Sequence, residues 1–280
     1  MTDSVRWRQD WEVKSGREIS DFELDRGTSP SQQETERLSE QELLAFIEPA
    51  DSDVLLDAGC GTGVNILRLH ARVRKIIAMD YARGSIERCR KRIAAQKITN
   101  TTIYMGSVAA IPLPDSSVNR ILCLSVLQYL DDEEVRKAFR EFVRVLTPGG
   151  VIILHVKNSS SLYWSTLRVA KKLKTFLGGS TQLYFLRPFQ WYVDELESVD
   201  CRILDYNSFN SFVLEGMPQR LRSFIQRLEL RHRNALPFRT AFLRRHGPEL
   251  KIKSRALNGL PGTDSRETRP KPIPADGPAA

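Results

Sequence analysis

The sequence lacks the features of a membrane-spanning protein and those of a small protein stabilised by disulfide bonds. No stretch of its 280 residues approaches the ~18 consecutive apolar residues of a membrane-spanning helix, and the first residues lack the apolar run of a secretion signal. Cysteine is scarce and never stands at metal-binding spacing. We therefore expect a cytoplasmic protein with no metal site. Its four cysteines are expected to pack as small apolar residues: Cys60, Cys89, Cys123 and Cys201.

Acidic residues are in the minority, since 42 lysines and arginines face 34 aspartates and glutamates for a net charge of +8. Much of the excess lies between Pro218 and Arg245, where eight arginines accompany only one acid, Glu229. Leucine and phenylalanine are interleaved with them. Three interpretations stay open: a solvated helix face, a surface that contacts an anionic membrane or lipid-linked acceptor, and a nucleic-acid site, which is less favoured.

A glycine-rich turn follows a short apolar run near residue 54. Val54–Leu56 has the continuous apolar character of a parallel strand that is covered on both faces. Asp57 ends that run, and three glycines then follow at alternate positions in Gly59–Gly63. Glycine lets the backbone turn sharply and approach a ligand, while the helical spacing of residues 64–73 predicts a helix with free N–H groups at its start. The stretch therefore predicts a binding site for a polar ligand.

A second apolar run, Lys75–Met79, ends at another acid, Asp80. Ligands of doubly wound sheets bind beyond the carboxyl ends of the strands, so Asp80 would lie beside the glycine turn. Its two carboxylate oxygens could accept hydrogen bonds from both hydroxyls of a ribose. We therefore expect a ligand that contains a nucleoside.

Together, the Asp57–Gly63 turn and Asp80 resemble the class I S-adenosylmethionine-dependent methyltransferases. Three further motifs fall in family order. Gly106–Val118 is similar to the family's adenine-side loop, Ile121–Leu130 to its fourth strand and the following turn, and Arg144–Gly150 to the turn into its fifth strand. The resemblance implies that the cofactor is S-adenosylmethionine.

The resemblance also implies which residues contact the cofactor. Gly59 and Gly61 would face its amino-acid end, and Asp80 its ribose. Many relatives carry an acid where Ser107 stands, but a serine can still bond the adenine. The implied cofactor contacts are Asp57, Gly59, Cys60, Gly61, Asp80, Tyr81, Ser107, Val108 and Leu124.

Methyl transfer from a sulfonium has a good leaving group, so a general base is needed only if the acceptor arrives protonated. Two residues expected at the carboxyl edge of the sheet could serve as that base: Tyr129, where many relatives carry a histidine, and His155. Tyr129 could instead only form the pocket wall, and His155 could be a core histidine with satisfied hydrogen bonds. Aromatic and basic residues over 184–192 could line the acceptor site.

Missing motifs narrow the range of acceptors. Residues 124–127 lack the prolines and the aromatic of members that methylate amino groups of nucleic-acid bases, and no Pro-Cys nucleophile exists for cytosine ring methylation. The paired glutamates of arginine-methylating members are absent around residues 125–135. We therefore expect methylation of an oxygen or nitrogen on a small molecule, a saccharide or a lipid-linked acceptor. The alternatives are a catalytically silent S-adenosylmethionine-binding partner subunit and an RNA methyltransferase.

Strand and helix patterns alternate from Asp53 to Lys157, which predicts an α/β fold with a Rossmann-like, doubly wound and mainly parallel sheet. Two later strands bring the sheet to seven, the last of them antiparallel and preceded by a helical insertion. The expected organisation is a lid over residues 1–34, a methyltransferase domain over 35–256 with an Arg-rich insertion at about 209–247, and a disordered tail over 257–280. Nothing in the sequence indicates the oligomeric state.

The element boundaries follow from the apolar spacing and the capping residues. Strands are expected near 53–57, 75–79, 101–105, 119–125, 150–157, 202–206 and 250–254. Helices are expected over 133–146, 161–176 and 188–199, with a further helix that starts at the capping box Ser39–Glu42.

Overall fold

The computed structural model describes residues 3–17, 43–161, 164, 184–209, 217–218, 220–221, 224–225, 228 and 249–257. The strands are β1 (Val54–Ala58), β2 (Lys75–Asp80), β3 (Thr101–Met105), β4 (Val118–Leu124), β5 (Leu146–Lys157), β6 (Cys201–Phe209) and β7 (Glu249–Ala256). The helices are α1 (Asp3–Ser15), α2 (Val64–Leu69), α3 (Arg83–Ala95), α4 (Asp132–Val145) and α5 (Phe189–Glu197), with 3-10 turns at His70–Arg72 and Leu127–Tyr129. Residues 43–47 are also helical.

The seven strands form one sheet in the order β3-β2-β1-β4-β5-β7-β6. Neighbouring strands are parallel from β3 to β5, and β7 runs antiparallel to both β5 and β6. The predicted Rossmann-like fold with a mainly parallel, seven-stranded sheet and an antiparallel last strand is confirmed. From β1 the strand order runs outward to β2 and β3 on one side and to β4 and β5 on the other. Ligands of doubly wound folds bind at this switch point between β1 and β4.

Both faces of the sheet are covered, which explains why the central strands read as continuous apolar runs. Leu55 and Ile76 pack with Cys89 of α3 on one face. Leu56 packs with Phe139 of α4 on the other face. The four cysteines are all buried and carry no disulfide: Cys60, Cys89, Cys123 and Cys201.

Helix α4 matches its predicted span within one residue at each end. It begins at Asp131, whose Oδ1 accepts a hydrogen bond from the Glu134 N–H at 2.9 Å, so a side chain caps the first turn. Its buried face carries Val135, Phe139 and Phe142. The helix therefore anchors the segment that connects β4 to β5.

Strand β5 begins earlier than predicted, at Leu146 instead of residue 150. Leu146 pairs with Val118 of β4, and the register shifts between Val118 and Arg120 before regular pairing resumes. Gly149 has a φ of 75° within this stretch. Arg144 and Val145 of the motif interpreted from sequence as a turn end α4, and the rest of it, from Leu146 to Gly150, forms an irregular strand that already belongs to the sheet.

Several predicted segments fall largely outside the described residues. These are the capping box Ser39–Glu42, most of the helix expected over 161–176, most of the Arg-rich insertion at 209–247, and the tail beyond Leu257. Of the lid expected over 1–34, residues 3–17 are described and contain α1. None of the described helices is long and apolar enough to cross a bilayer.

Candidate active site

A cavity of about 360 Å³ opens at the carboxyl ends of β1, β2, β4 and β5. Its position matches the usual ligand site of a doubly wound sheet. Both candidate bases, Tyr129 and His155, line it. Eight of the implied cofactor contacts line it as well: Gly59, Cys60, Gly61, Asp80, Tyr81, Ser107, Val108 and Leu124. Among the described residues, no cluster of histidine, cysteine and carboxylate side chains could hold a metal ion.

The ninth implied contact, Asp57, does not line the cavity and is only 1% exposed. Neither of its carboxylate oxygens has a well-formed hydrogen bond within the described part of the chain. Burial raises the pKa of Asp57 to about 7, and the neighbouring Asp80 adds to this, while the polar Asn65 side chain only partly opposes it. A positive charge on a ligand beside Asp57 would favour its ionised form.

The glycine turn is held against β2 by its own backbone. The N–H groups of Gly59 and Cys60 donate to the Met79 carbonyl at 2.7 and 2.9 Å. Gly59 has a φ of 91°, and a Cβ at this position would overlap Cγ2 of Val126. The turn therefore requires a glycine here, both for its backbone conformation and because Val126, which follows β4, approaches it closely.

Asp80 is fixed by two backbone donors at the end of β2. The Gly61 N–H donates to its Oδ2 and the Ala82 N–H to its Oδ1, both at 2.9 Å. A carboxylate oxygen can accept more than one hydrogen bond, so each oxygen keeps capacity for a ligand hydroxyl. The two amides therefore orient Asp80 toward the cavity that it lines.

The Gly106–Val118 loop, which brings Ser107 and Val108 to the cavity, is held from behind by Arg144 of α4. The Arg144 guanidinium donates to the carbonyls of Ile111 and Leu113 at 2.9 and 2.8 Å. Ser107 Oγ accepts the Ala109 N–H at 3.2 Å, which closes the loop start locally. These contacts give the loop a defined shape although it has little regular secondary structure.

A serine–histidine pair lines the cavity, with Ser125 just after β4 and His155 near the end of β5. Ser125 Oγ is 3.1 Å from His155 Nδ1, and the Ser125 N–H donates to the His155 carbonyl at 2.8 Å. Ser125 has a φ of 60°, a conformation that is uncommon for residues other than glycine. Next to it, the buried Gln128 donates its Nε2–H to the Ser125 carbonyl at 2.9 Å.

An aromatic cluster covers the same side of the cavity. The Tyr129 ring lies edge-on to Trp7, Trp11 and Tyr184 at centroid distances of 4.9, 5.6 and 5.6 Å. Trp7 and Tyr184 stack with an interplanar angle of 5°. Burial, with a smaller contribution from Tyr184, raises the pKa of Tyr129, so its hydroxyl remains protonated at neutral pH.

Helix α1 brings both tryptophans to the cavity and is anchored on the start of α3. Glu12 accepts the Arg83 N–H at 3.0 Å, and the Tyr81 hydroxyl donates to the Trp7 carbonyl at 3.3 Å. A Cβ at Gly84 would lie 2.6 Å from Ser15 Oγ, so the two helices approach closely only because residue 84 is glycine.

Comparison with known proteins places this geometry in a family. Residues 55–150 match a family model described as a methyltransferase domain. A malonyl-[acyl-carrier protein] O-methyltransferase from Serratia marcescens is 32% identical over 122 residues, which are 44% of this chain and 45% of that protein. These matches support a class I S-adenosylmethionine-dependent methyltransferase family for residues 55–150.

Other similar proteins agree with this match. A probable S-adenosylmethionine-dependent methyltransferase from Mycolicibacterium smegmatis is 32% identical over 104 residues, 37% of this chain and 38% of that protein. The chain spans less than half the length of these two relatives. A solved structure of Haemonchus contortus phosphoethanolamine N-methyltransferase 1 has a TM-score of 0.63 at 16% identity, and the match covers 91% of this chain and 50% of that one. At this identity the likeness shows the shared fold.

The family match supports S-adenosylmethionine as the cofactor, and three features of the cavity fit that molecule. Asp57 is a buried carboxyl group next to the glycine turn, without a well-formed hydrogen bond in the described structure. Its negative charge could compensate a cationic group of the cofactor. Asp80 is oriented by two amides and can still accept ribose hydroxyls. Gly59 leaves the backbone open to close approach by a ligand.

Several residues that shape the methyltransferase site were not singled out from the sequence. Ser125 and Gln128 were noted only as part of a turn, and Lys157 only as the end of a strand, although all three line the cavity. Arg187 belongs to the 184–192 segment that was expected to line the acceptor site, but no residue of that segment lines the cavity. Arg187 is instead buried and donates to the carbonyls of Leu127 and Leu130 at 2.9 and 2.6 Å, so it supports the turn that carries Tyr129. Its partners lie about sixty positions away in sequence, and no local pattern could have revealed them.

Proposed function

We propose that this protein transfers the methyl group of S-adenosylmethionine to an oxygen of a small-molecule, saccharide or lipid-linked acceptor, with nitrogen as the alternative. The observation that carries the proposal is that one cavity joins the glycine turn and Asp80 to the Ser125–His155 pair beneath the aromatic cluster. A cofactor and an acceptor could therefore meet there with a proton acceptor at hand.

Positioning supplies most of the expected rate. The bound cofactor brings a methyl group on a good sulfonium leaving group, so the protein must mainly hold the acceptor in line with it. Well-oriented reactions gain roughly 7–11 kcal/mol in this way. In our proposal Asp80 holds the ribose, the Gly59–Gly61 turn the amino-acid end, and Ser107 with Val108 the adenine.

His155 is the better candidate for a general base. Burial raises the pKa of Tyr129, which makes its phenolate inaccessible near neutral pH. An unprotonated imidazole nitrogen can take a proton from a hydroxyl acceptor. The hydrogen bond between Ser125 Oγ and His155 Nδ1 orients the His155 ring at the cavity. We assign Tyr129 to the wall of the acceptor site.

Oxygen is favoured over nitrogen by two observations. The curated relative described above is a malonyl-[acyl-carrier protein] O-methyltransferase. A hydroxyl acceptor must lose its proton, and the Ser125–His155 pair supplies a place for it, whereas a carboxylate acceptor is already ionised at neutral pH.

The proposal is tested by incubating the protein with methyl-labelled S-adenosylmethionine and host extract, followed by separation into small-molecule, lipid, RNA and protein fractions. Label in a small-molecule or lipid fraction is expected, and at limiting cofactor concentration it should decrease with Asp80→Ala protein. Label confined to RNA would support an RNA methyltransferase. Tight cofactor binding with no label in any fraction would support the catalytically silent partner subunit.

We also propose peripheral contact with an anionic membrane through the Arg-rich segment. Leu221, Phe224 and Leu228 are 48%, 58% and 38% exposed, and their spacing places them on one side of a helix. Residues 220–221, 224–225 and 228 are helical. Exposed apolar side chains interleaved with arginines are typical of helices that lie in a membrane interface.

The membrane proposal predicts sedimentation with vesicles that contain phosphatidylserine, but not with neutral phosphatidylcholine vesicles. Each basic residue near an anionic surface contributes about 1 kcal/mol, so binding should weaken when salt rises from about 0.1 to 0.5 M. Phe224→Asp should abolish it, whereas Leu204→Asp, at an exposed apolar residue of β6, should not. Equal sedimentation with both vesicle types would overturn the proposal. Release of the protein from phosphatidylserine vesicles by RNA, without any release by added salt, would overturn it as well.

A further inference from the structure

Lys157, at the end of β5, places a cation among the aromatic rings beside the cavity. Its Nζ lies 4.7 Å from the ring centroid of Trp164 and 5.0 Å from that of Tyr184, within the range of cation–π contacts. Tyr184 in turn contacts Trp7 and Tyr129. Lys157 itself lines the cavity, so its ammonium is held where an acceptor would bind.

The register of β5 explains why Lys157 points to this side of the sheet. Leu154 and Val156 belong to the core on the α4 face, so the alternating residues His155 and Lys157 point to the opposite face. Lys251 of β7 lies directly across from His155 in the antiparallel pair and shares that face. In the same register Glu249 lies across from Lys157, so three basic residues and one acid share this face at the edge of the sheet.

Basic side chains outnumber acids among the described residues that line the cavity. Asp80 is the carboxylate among them, and the buried Asp57 is a second acid nearby. Arg68, His155 and Lys157 line the cavity as well, and Lys157 contacts the aromatic cluster. Aromatic walls exclude water, which strengthens the electrostatic interactions that these charged groups make with a ligand. An anionic group would be compensated there, whereas a cationic group would be repelled.

We propose that the methyl acceptor carries an anionic group, a carboxylate or a phosphate, that binds Lys157, and an apolar or aromatic body that packs against Trp7 and Trp11. This inference rests on the proposed methyl transfer and specifies its substrate class. Trp7 and Trp11 line the cavity from α1, so the same helix that covers the site would also contact the acceptor body.

The test uses two pairs of probes with protein saturated by S-adenosylhomocysteine, the unreactive product of the cofactor. One pair is 2-naphthoate and its neutral amide, and the other is decyl phosphate and decanol. Binding is measured by calorimetry and by saturation-transfer NMR. We expect each anion to bind about tenfold or more tightly than its neutral partner, as a charge-assisted hydrogen bond provides. Preference for the naphthoate indicates a soluble aromatic acid, and preference for decyl phosphate indicates a lipid-like acceptor.

Variants assign the preference to Lys157. Lys157→Met should reduce the anion-to-neutral ratio to about one, Lys157→Arg should retain it, and Lys137→Met on the solvent side of α4 should leave it unchanged. Thermal midpoints and S-adenosylhomocysteine affinity show whether the Lys157→Met protein is folded. If that variant is unfolded, the comparison of Lys157→Arg with Lys157→Gln replaces it.

The outcomes separate this inference from the function on which it rests. Failure to bind S-adenosylhomocysteine would overturn the proposed methyl transfer itself. Normal binding of S-adenosylhomocysteine with no anion bound more tightly than its neutral partner, including no binding by any probe, would overturn only the anionic acceptor. An anion preference that survives in Lys157→Met would show that Lys157 does not provide it.

Discussion

Ser125 Oγ lies 3.1 Å from His155 Nδ1 at the edge of the cavity. We expect His155→Asn to slow methyl transfer by about 10²-fold or more at neutral pH, because general-base catalysis typically contributes 10²–10⁴-fold. Single-turnover rates measure this effect, and calorimetry should show an unchanged cofactor affinity. Tyr129→Phe is the control and should retain most activity. The reverse pattern, with Tyr129→Phe inactive and His155→Asn active, would contradict the assignment of His155 as the base.

Asp80→Ala should weaken S-adenosylmethionine binding by an estimated 1–3 kcal/mol, because it removes the acceptor of two ribose hydroxyls and leaves two backbone N–H groups without their partner. Titration calorimetry checks the loss. Asp51→Asn, in the exposed turn before β1, is the matched control and should bind as the parent does. Parent-like affinity of the Asp80→Ala protein would show that the ribose lies elsewhere.

Gly84→Ala should loosen the cover that α1 forms over the cavity. The new Cβ would lie 2.6 Å from Ser15 Oγ and 2.8 Å from the Ser15 carbonyl oxygen, so α1 must move away. Alanine suits a helix better than glycine, so α3 itself should not be weakened. We expect several-fold faster cofactor release in stopped-flow measurements, with little change in the thermal midpoint. Gly16→Ala is the control, since its Cβ would meet neighbours only at ordinary contact distance. An unchanged release rate would mean that α1 does not act as a lid.

Arg187→Met should lower the free energy of unfolding by about 3 kcal/mol, because buried carbonyls of the turn after β4 lose a charged donor. The Asp132 carboxylate, 2.8 Å from Arg187 Nε, loses its partner as well. Urea denaturation measures the change. Arg136→Met removes an exposed pair with Glu195 and should leave the midpoint almost unaltered. Similar midpoints for the two variants would contradict a supporting role for Arg187.

Most of the fold could be predicted because its determinants are local. The apolar runs before Asp57 and Asp80, the cap at Asp131 and the helical spacing of α4 each act over a few residues, and each produced an element within a few positions of its prediction. The start of β5 was misplaced because Pro148, Gly149 and Gly150 are typical turn residues. Pairing between Leu146 and Val118 overrides that preference.

The candidate site was predictable on its cofactor side and much less so on its acceptor side. The cofactor side depends on a contiguous turn and one acid at the next strand end. The acceptor side is assembled from residues far apart in the chain, among them Trp7, Ser125, Lys157 and Arg187. Their roles depend on which strand faces which helix, and a single sequence does not encode that in any short pattern.

Asp57 should make the stability of the cofactor-free protein depend on pH. Burial raises the pKa of Asp57 from 3.8 to about 7, so the folded state favours the protonated acid. The contribution of Asp57 to the free energy of unfolding should therefore be greatest below about pH 4, decline as the pH rises to 7, and level off above. The total change should be of order 4 kcal/mol. Urea unfolding at pH 5 and pH 8 measures it. Asp57→Asn should remove most of this difference, whereas Asp51→Asn should retain it. A parent protein equally stable at both pH values, or a difference that persists in Asp57→Asn, would show that Asp57 is ionised in the folded state.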